Sequence, residues 1–239
     1  MNPLRHVIVH VDGSEQALER LRFARAMTQP FSARITALHA VTPWLVLHPA
    51  RHEGDQAAAE GMPDVSWDQV RTQSPYGRHA NHEVPDDFVP SVIMHSGKPA
   101  LIVPATGHAL SGHAIKSALI AWNGSRESAR ALSAAWPFLA SAQEVHVAML
   151  GDTIVDEDPA CRARLARYLG LHGIEPIWHV RQAPSPQGVG AALLSLAQDV
   201  KADLLVMGCY GHSRTREWVL GGATRTVLSN MSLPVLMAH

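Results

Sequence analysis

Two cysteines in 239 residues, Cys161 and Cys209, cannot make a disulfide framework, which fits a reducing compartment. Aromatic side chains supply only 5% of the chain, and neither sign of charge dominates: the formal net charge is −1. Without a basic excess there is no electrostatic footprint for nucleic acid or anionic lipid. No apolar run approaches membrane-spanning length. The opening residues, MNPLRHVIVHVDGS, run straight into a strand and turn with no secretory pattern. The expectation is a cytoplasmic protein with no nucleic-acid or membrane partner.

What is present is a chain 46% hydrophobic, cut into short apolar runs. His6 to Val11 reads as a buried strand and ends in Asp12-Gly13-Ser14. Ser14 then caps a helix from Glu15 to Met27, and a strand from Ala33 to Val41 follows. The pattern returns 111 residues later. Ser117 to Trp122 ends in Asn123-Gly124-Ser125, a helix runs to about Ala140, and Glu144 to Leu150 is a strand. A second pair of landmarks closes each half: Lys98-Pro99-Ala100-Leu101-Ile102-Val103 resembles Leu233-Pro234-Val235-Leu236-Met237-Ala238, at an offset of 135. The first half is therefore shorter by 24 residues, and the join falls near Thr106-Gly107-His108. This predicts two related domains, residues 1–107 and 108–239.

The second half continues with a helix from about Pro159 to His172 and a strand from Glu175 to Arg181. A helix from Pro186 to Val200, a strand Ala202–Met207, a helix Gly222–Asn230 and a strand Leu233–Ala238 complete it. Strands that alternate with helices and read as continuous apolar runs predict an α/β fold, a doubly wound parallel sheet. Ligands of such sheets bind at the carboxyl ends of the strands, the edge that holds Asn123 and Gly208.

Between the strand that ends at Met207 and the helix that begins at Gly222 lies GCYGHSRTREWVLG. Strand, glycine-rich loop and helix start is the order that cradles phosphates. The spacing from Gly211 to Gly221 is too wide for a dinucleotide fingerprint, and the Lys-Ser/Thr of a P-loop is missing. A cluster of turn glycines is the competing reading.

Gly208-x2-Gly211-x9-Gly221, leading into the last helix and a Pro-Val-Leu strand, resembles the ATP-binding branch of the universal stress protein family. The likeness covers residues 117–239 and, more weakly, the first half. It implies two tandem doubly wound, Rossmann-like domains similar to the adenine-nucleotide alpha-hydrolases, the first abridged. It also implies a non-catalytic stress protein that binds ATP, with or without Mg2+, or AMP or ADP. Asn123 takes the place of the family's acidic residue near the adenosine, and Leu150 lines the adenine pocket. Met207 and Gly208 end the fourth strand, and Gly211, His212 and Gly221 belong to the loop. Gly222, Ala223 and Thr224 open the helix whose amides and hydroxyls hold phosphate. Asn123 carries no charge and Gly222 has lost the family's hydroxyl, so weaker binding is expected. One missing hydrogen bond costs about 1 kcal/mol, several-fold in affinity. The final strands of the two halves are expected to pair, which makes the chain a pseudo-dimer; a homodimer stays open. The alternative is a nucleotide-free dimerisation or interaction module whose glycines are turns.

The first half keeps Asp12 but not the loop: the offset of 135 puts Gln73, Tyr76, Asp86 and Asp87 at Gly208, Gly211, Gly221 and Gly222. Carboxylates there repel phosphate, so this half is expected to be a structural partner. Other signals are weaker. Gly188-x-Gly190 reads as a helix-start turn, Gly107 and Gly112 lack the P-loop's lysine, and His79, His82 and Glu83 as a solvated loop. Arg214 and Arg216 also read as solvated, and Cys209 as a small packing residue. Ser213 beside His212 lacks a nucleophile elbow, and Glu217 alone does not make the loop a hydrolase site.

Overall fold

A computed structural model describes residues 4–11, 15–39, 88–104, 115–151, 159–182, 186–209 and 222–239. The elements of the first half are β1 (His6–Val11), α1 (Glu15–Thr28), β2 (Arg34–His39), α2 (Phe88–His95) and β3 (Ala100–Ile102). The second half follows with β4 (Ser117–Ala121), α3 (Arg126–Leu139), β5 (Glu144–Gly151), α4 (Pro159–Gly170) and β6 (Ile177–Gln182). It ends with α5 (Pro186–Asp199), β7 (Leu204–Gly208), α6 (Gly222–Asn230) and β8 (Val235–Ala238).

β4, β7 and β8 are written as SALIA, LLVMG and VLMA and are buried almost throughout, because helices cover both of their faces. With β5 and β6 they form a parallel sheet, to which β3 adds an antiparallel edge; the order is β3-β8-β7-β4-β5-β6. The chain builds outward from β4 through β5 to β6, then returns to lay β7 on the other side of β4. Strand order thus reverses between β4 and β7, the place where folds of this class form a ligand crevice at the carboxyl ends of the strands. A helix linking parallel strands must run back against them, so α3, α5 and α6 all start at that edge.

The first half does not stand apart from this sheet. On one face, Phe23 and Met27 of α1 share a core with Ile120, Val147 and Val206 and with Ala135 of α3. Phe31, just after α1, sets its ring edge-on to Phe138 at 6.2 Å between centroids. On the other face, Ile93 of α2 is 1% exposed and packs with Leu119, Leu205 and Val235 and with Leu193 and Val227. β3 hydrogen-bonds to β8 with Leu101 opposite Leu236. The pairing expected between the two closing strands is therefore present. β1 and β2 form a separate two-stranded parallel sheet.

Two differences from the sequence reading have physical causes. α2 was not expected: eight residues are too short for a helical period to declare itself, and Pro90 suggests a break. Pro90 nonetheless sits in the first turn, where its missing N–H would have had no helical partner. β7 and β8 begin two residues later than read, at Leu204 and Val235. Before β7, Asp203 acts as a clamp instead. Gly188 and Gly190 lie in the opening turns of α5, within the helix expected from Pro186. The positions of Asp12, Gln73, Tyr76, Asp86 and Asp87, of the His79–Glu83 group and of Gly107 and Gly112 lie outside the described residues. Among the described residues no helix is long and apolar enough to cross a membrane.

The Asp203 clamp holds the amino ends of β4 and β7 together. Its Oδ2 accepts the backbone N–H of Lys116 at 2.8 Å and of Ser117 at 2.9 Å, while its own N–H donates to the Ser117 carbonyl at 2.8 Å. Asp203→Ala should remove the two side-chain bonds and lower stability by about 1–3 kcal/mol. Urea unfolding followed by circular dichroism measures this; a variant within ~0.5 kcal/mol of wild type would show that solvent replaces the clamp without loss.

Candidate functional site

The corner where β4 hands over to α3 is built from local hydrogen bonds. Trp122 N–H donates to the Ala148 carbonyl at 2.8 Å, which carries the pairing one residue past the end of β4. The chain then turns at Asn123, whose Oδ1 accepts the Ser125 N–H at 3.1 Å. Gly124 follows at φ +72°, a conformation that side chains resist. Ser125 caps α3, its Oγ accepting the Ser128 N–H at 3.1 Å. Asn-Gly-Ser is thus a turn and a cap in three residues. The carboxamide oxygen of Asn123 is spent on that turn, while the residue itself is exposed.

β7 reaches the same edge beside it, since Ala121 pairs with Met207. At Gly208 a Cβ would lie 2.5 Å from the Ser128 nitrogen and 2.6 Å from the Glu127 carbonyl carbon. Position 208 is glycine because the first turn of α3 fills the space a side chain would need. Gly190 does the same service across the other face, where a Cβ would meet the Ala223 carbonyl oxygen at 2.8 Å and Thr226 Cβ at 2.7 Å. That contact fixes the start of α6 against α5.

The expected site residues can be placed as follows. Asn123, Gly208 and the start of α6 share the carboxyl edge of the sheet, as does Leu150 near the end of β5, half-buried against the core on the α5 side. Met207 is 4% exposed and packed in that core, so what it offers the edge is backbone. Gly222 is exposed, Ala223 half-buried and Thr224 buried. Gly211, His212 and Gly221 lie outside the described residues, together with Ser213, Arg214, Arg216 and Glu217.

The sequence reading overlooked Arg126 and Glu127. Glu127, in the first turn of α3, is 5% exposed, and its Cβ stands against Gly208. Its Oε1 accepts the Nε–H of Arg126 at 2.6 Å. Burial pushes the Glu127 carboxyl up, but the Arg126 bond, the backbone and the Ser125 hydroxyl outweigh it, and the net shift is below the ordinary carboxylate value. Glu127 is therefore ionised at neutral pH, and the stability it gives is lost as pH falls through its lowered value. Only its position two residues after a helix cap at a strand end could have drawn attention to it.

The family model described as the universal stress protein family matches residues 114–239, more than half of the chain. Universal stress protein Slr1230 of Synechocystis sp. is 29% identical over 153 residues, an alignment covering 61% of this chain and 48% of that one. The match thus spans about half the length of that relative. A protein of unknown function from Pseudomonas aeruginosa PAO1 superposes with TM-score 0.57 at 14% identity, covering 98% of this chain and 92% of that one. A second crystal structure, from Pseudomonas aeruginosa UCBPP-PA14 and provisionally assigned to the universal stress proteins, gives TM-score 0.56 at 13% identity, with 98% and 93% covered. At such identities the two structures speak for the fold alone.

The packing at this edge can be read through the thiols. Cys209 follows Gly208, is 1% exposed, and donates its S–H to the Ala238 carbonyl at 3.2 Å. Burial first, and the Glu127 charge second, push its pKa up to about 12. At pH 8 its thiolate fraction is then about one part in ten thousand. Cys161 is half-buried beside Gly124. Ellman titration of the folded protein should find one reacting thiol, and none in Cys161→Ser; denaturant should expose both cysteines in the wild type. A fast thiol in folded Cys161→Ser would contradict this packing.

Proposed function

The chain belongs to the universal stress protein family, and on that premise we propose that residues 108–239 bind ATP or another adenine nucleotide as a non-catalytic sensor or regulator. The observation that carries this reading is the reversal of strand order between β4 and β7. Asn123, Gly208 and the exposed start of α6 at Gly222 stand on the carboxyl edge of that crevice. Unpaired amides and a partial positive charge gather at a helix start, so α6 suits a phosphate group. Gly222 has no hydroxyl to give but keeps its N–H. In this reading Gly211, His212 and Gly221 approach the phosphates, and Leu150 lines the adenine side. ATP is the favoured ligand, with or without Mg2+, and AMP and ADP are the variants to test.

The first 107 residues serve in this proposal as a degenerate structural partner, and the chain is its own pseudo-dimer. The non-catalytic part rests on Glu127, the acid described at this edge, which is committed to Arg126 rather than free to act as a base. One observation favours the rival reading of a nucleotide-free interaction module. Gly208 is explained by the approach of α3 alone, without any ligand.

Mass spectrometry of ligand released from purified protein separates the two readings: adenine nucleotide supports the first and an empty protein the second. Calorimetric titration should give one ATP per chain, with turnover at background. Gly221→Asp places a carboxylate in the loop, copying Asp86 of the first half. At an effective dielectric near 20, like charges about 4 Å apart repel by roughly 4 kcal/mol, an upper figure that solvent reduces. Losing about 3 kcal/mol weakens binding about a hundredfold. If Gly221→Asp is folded by circular dichroism and still binds ATP like wild type, the loop is not the phosphate site.

A further inference from the structure

We propose that Arg126, held in place by the buried carboxylate of Glu127, is a phosphate-recognising residue of this crevice. The inference rests on the nucleotide reading above and adds a contact that its loop motif does not contain.

Arg126 is the first residue of α3, directly after the Asn-Gly-Ser corner. Its side chain is 73% exposed while that of its partner is 6% exposed, so the pair is a surface guanidinium on a buried anchor. The anchor is placed by Gly208: a Cβ at that position would be 2.9 Å from Glu127 Cβ, so Glu127 stands against the end of β7, beside the β4 end from which α3 departs. An exposed arginine ordinarily samples many rotamers and gives little. Here the 2.6 Å charge-assisted bond takes the Nε–H. The bond uses one of the five guanidinium N–H donors, and the four on Nη1 and Nη2 belong to a side chain that is 73% exposed.

The neighbouring donor has the same sense. Asn123 Oδ1 already accepts the Ser125 N–H, and its carboxamide nitrogen adds two N–H donors to the exposed corner. The corner therefore presents donors, and the negative charge of Glu127 is matched by Arg126. Such a surface selects an anionic oxygen ligand over a neutral one. The chain holds its own contrast: at the repeat offset of 111, Arg126 and Glu127 correspond to Glu15 and Gln16. The half without the glycine loop has an acid where the other half has the guanidinium.

The test compares ATP with adenosine, which lacks phosphate, on the full chain by calorimetry. Arg126→Ala should weaken ATP about tenfold, the size of a hydrogen bond to a charged group in a partly wet site, and leave adenosine within about twofold. Glu127→Gln, checked by circular dichroism, should weaken ATP in the same direction, because the guanidinium loses its brace, and should add nothing to Arg126→Ala in the double variant. Tighter ATP binding in Glu127→Gln would mean that the carboxylate merely repels phosphate, and the positioning role would fall. Wild-type ATP affinity in Arg126→Ala, or an equal loss of adenosine, would overturn the arginine contact while leaving the nucleotide site standing. Should the wild type bind adenosine but not ATP, or neither, the nucleotide reading fails first and this inference with it.

Discussion

The absence of a side chain at Gly208 is the constraint on which the site end of the molecule depends. A Cβ there would come within 2.5 Å of the backbone of α3, well inside any van der Waals contact. Because the space is empty, the first turn of α3 closes over the end of β7. Three things follow from that approach. Ala131 and Ala135 reach the sheet closely enough to be fully buried; Glu127 is carried out of solvent; and the Ser125 cap sits beside the crevice rather than away from it. Gly190 sets the same intimacy for α6 on the opposite face. Small residues at the crossing points decide how near the helix starts come to the strand ends, and hence how narrow the crevice is.

The first half contributes to this architecture more than its abridged length suggests. β8 is buried at every residue, which an edge strand exposed to water cannot be. β3 occupies that edge and satisfies its backbone groups, so the apolar run VLMA does not become a template for another chain. α1 supplies Phe23 and Met27 to one face of the core and α2 supplies Ile93 to the other. These contributions need a strand, two helices and little else. If the first half is the abridged partner proposed above, these contributions are what it must keep to leave the second half's sheet covered.

Much of this was legible in the sequence because burial on both faces writes itself as uninterrupted apolar runs. β4, β7 and β8 declared themselves in that way, while the β3–β8 pairing was an expectation from the family resemblance rather than from the two closing segments themselves. The buried, inert Cys209 also follows from its place after such a run. What sequence could not show is whatever depends on two segments meeting in space. Gly208 and Gly190 looked like loop and turn glycines, yet each is explained by a helix backbone far along the chain. Arg126 and Glu127 drew no notice in the sequence, since only the approach of β7 buries one of them and leaves the other outside. α2 was hidden for a different reason: eight residues with a proline carry too few turns to reveal a period.

Under the nucleotide proposal, the charge balance at the corner gives asparagine at 123, where the family resemblance leads one to expect an acid, a meaning beyond a missing acceptor. An aspartate at 123 could accept the Ser125 N–H as the asparagine does, so the turn itself does not require the amide. An aspartate would, however, add a second carboxylate to the corner, where among the described residues Arg126 is already paired with Glu127. Asparagine leaves one carboxylate and one guanidinium, whose charges cancel. The partial positive charges of the α3 and α6 starts then face the crevice without an opposing excess of negative charge. For a polyanionic ligand such as ATP, the lost acceptor on the adenosine side and the relieved repulsion on the phosphate side act in opposite directions. At an effective dielectric near 20, a unit charge about 8 Å away still contributes roughly 2 kcal/mol before solvent screening, against about 1 kcal/mol for one hydrogen bond. Asn123 is exposed, so solvent brings the electrostatic figure down to the size of the hydrogen bond or below. Under the nucleotide proposal the exchange is then close to neutral rather than a mark of a dead site.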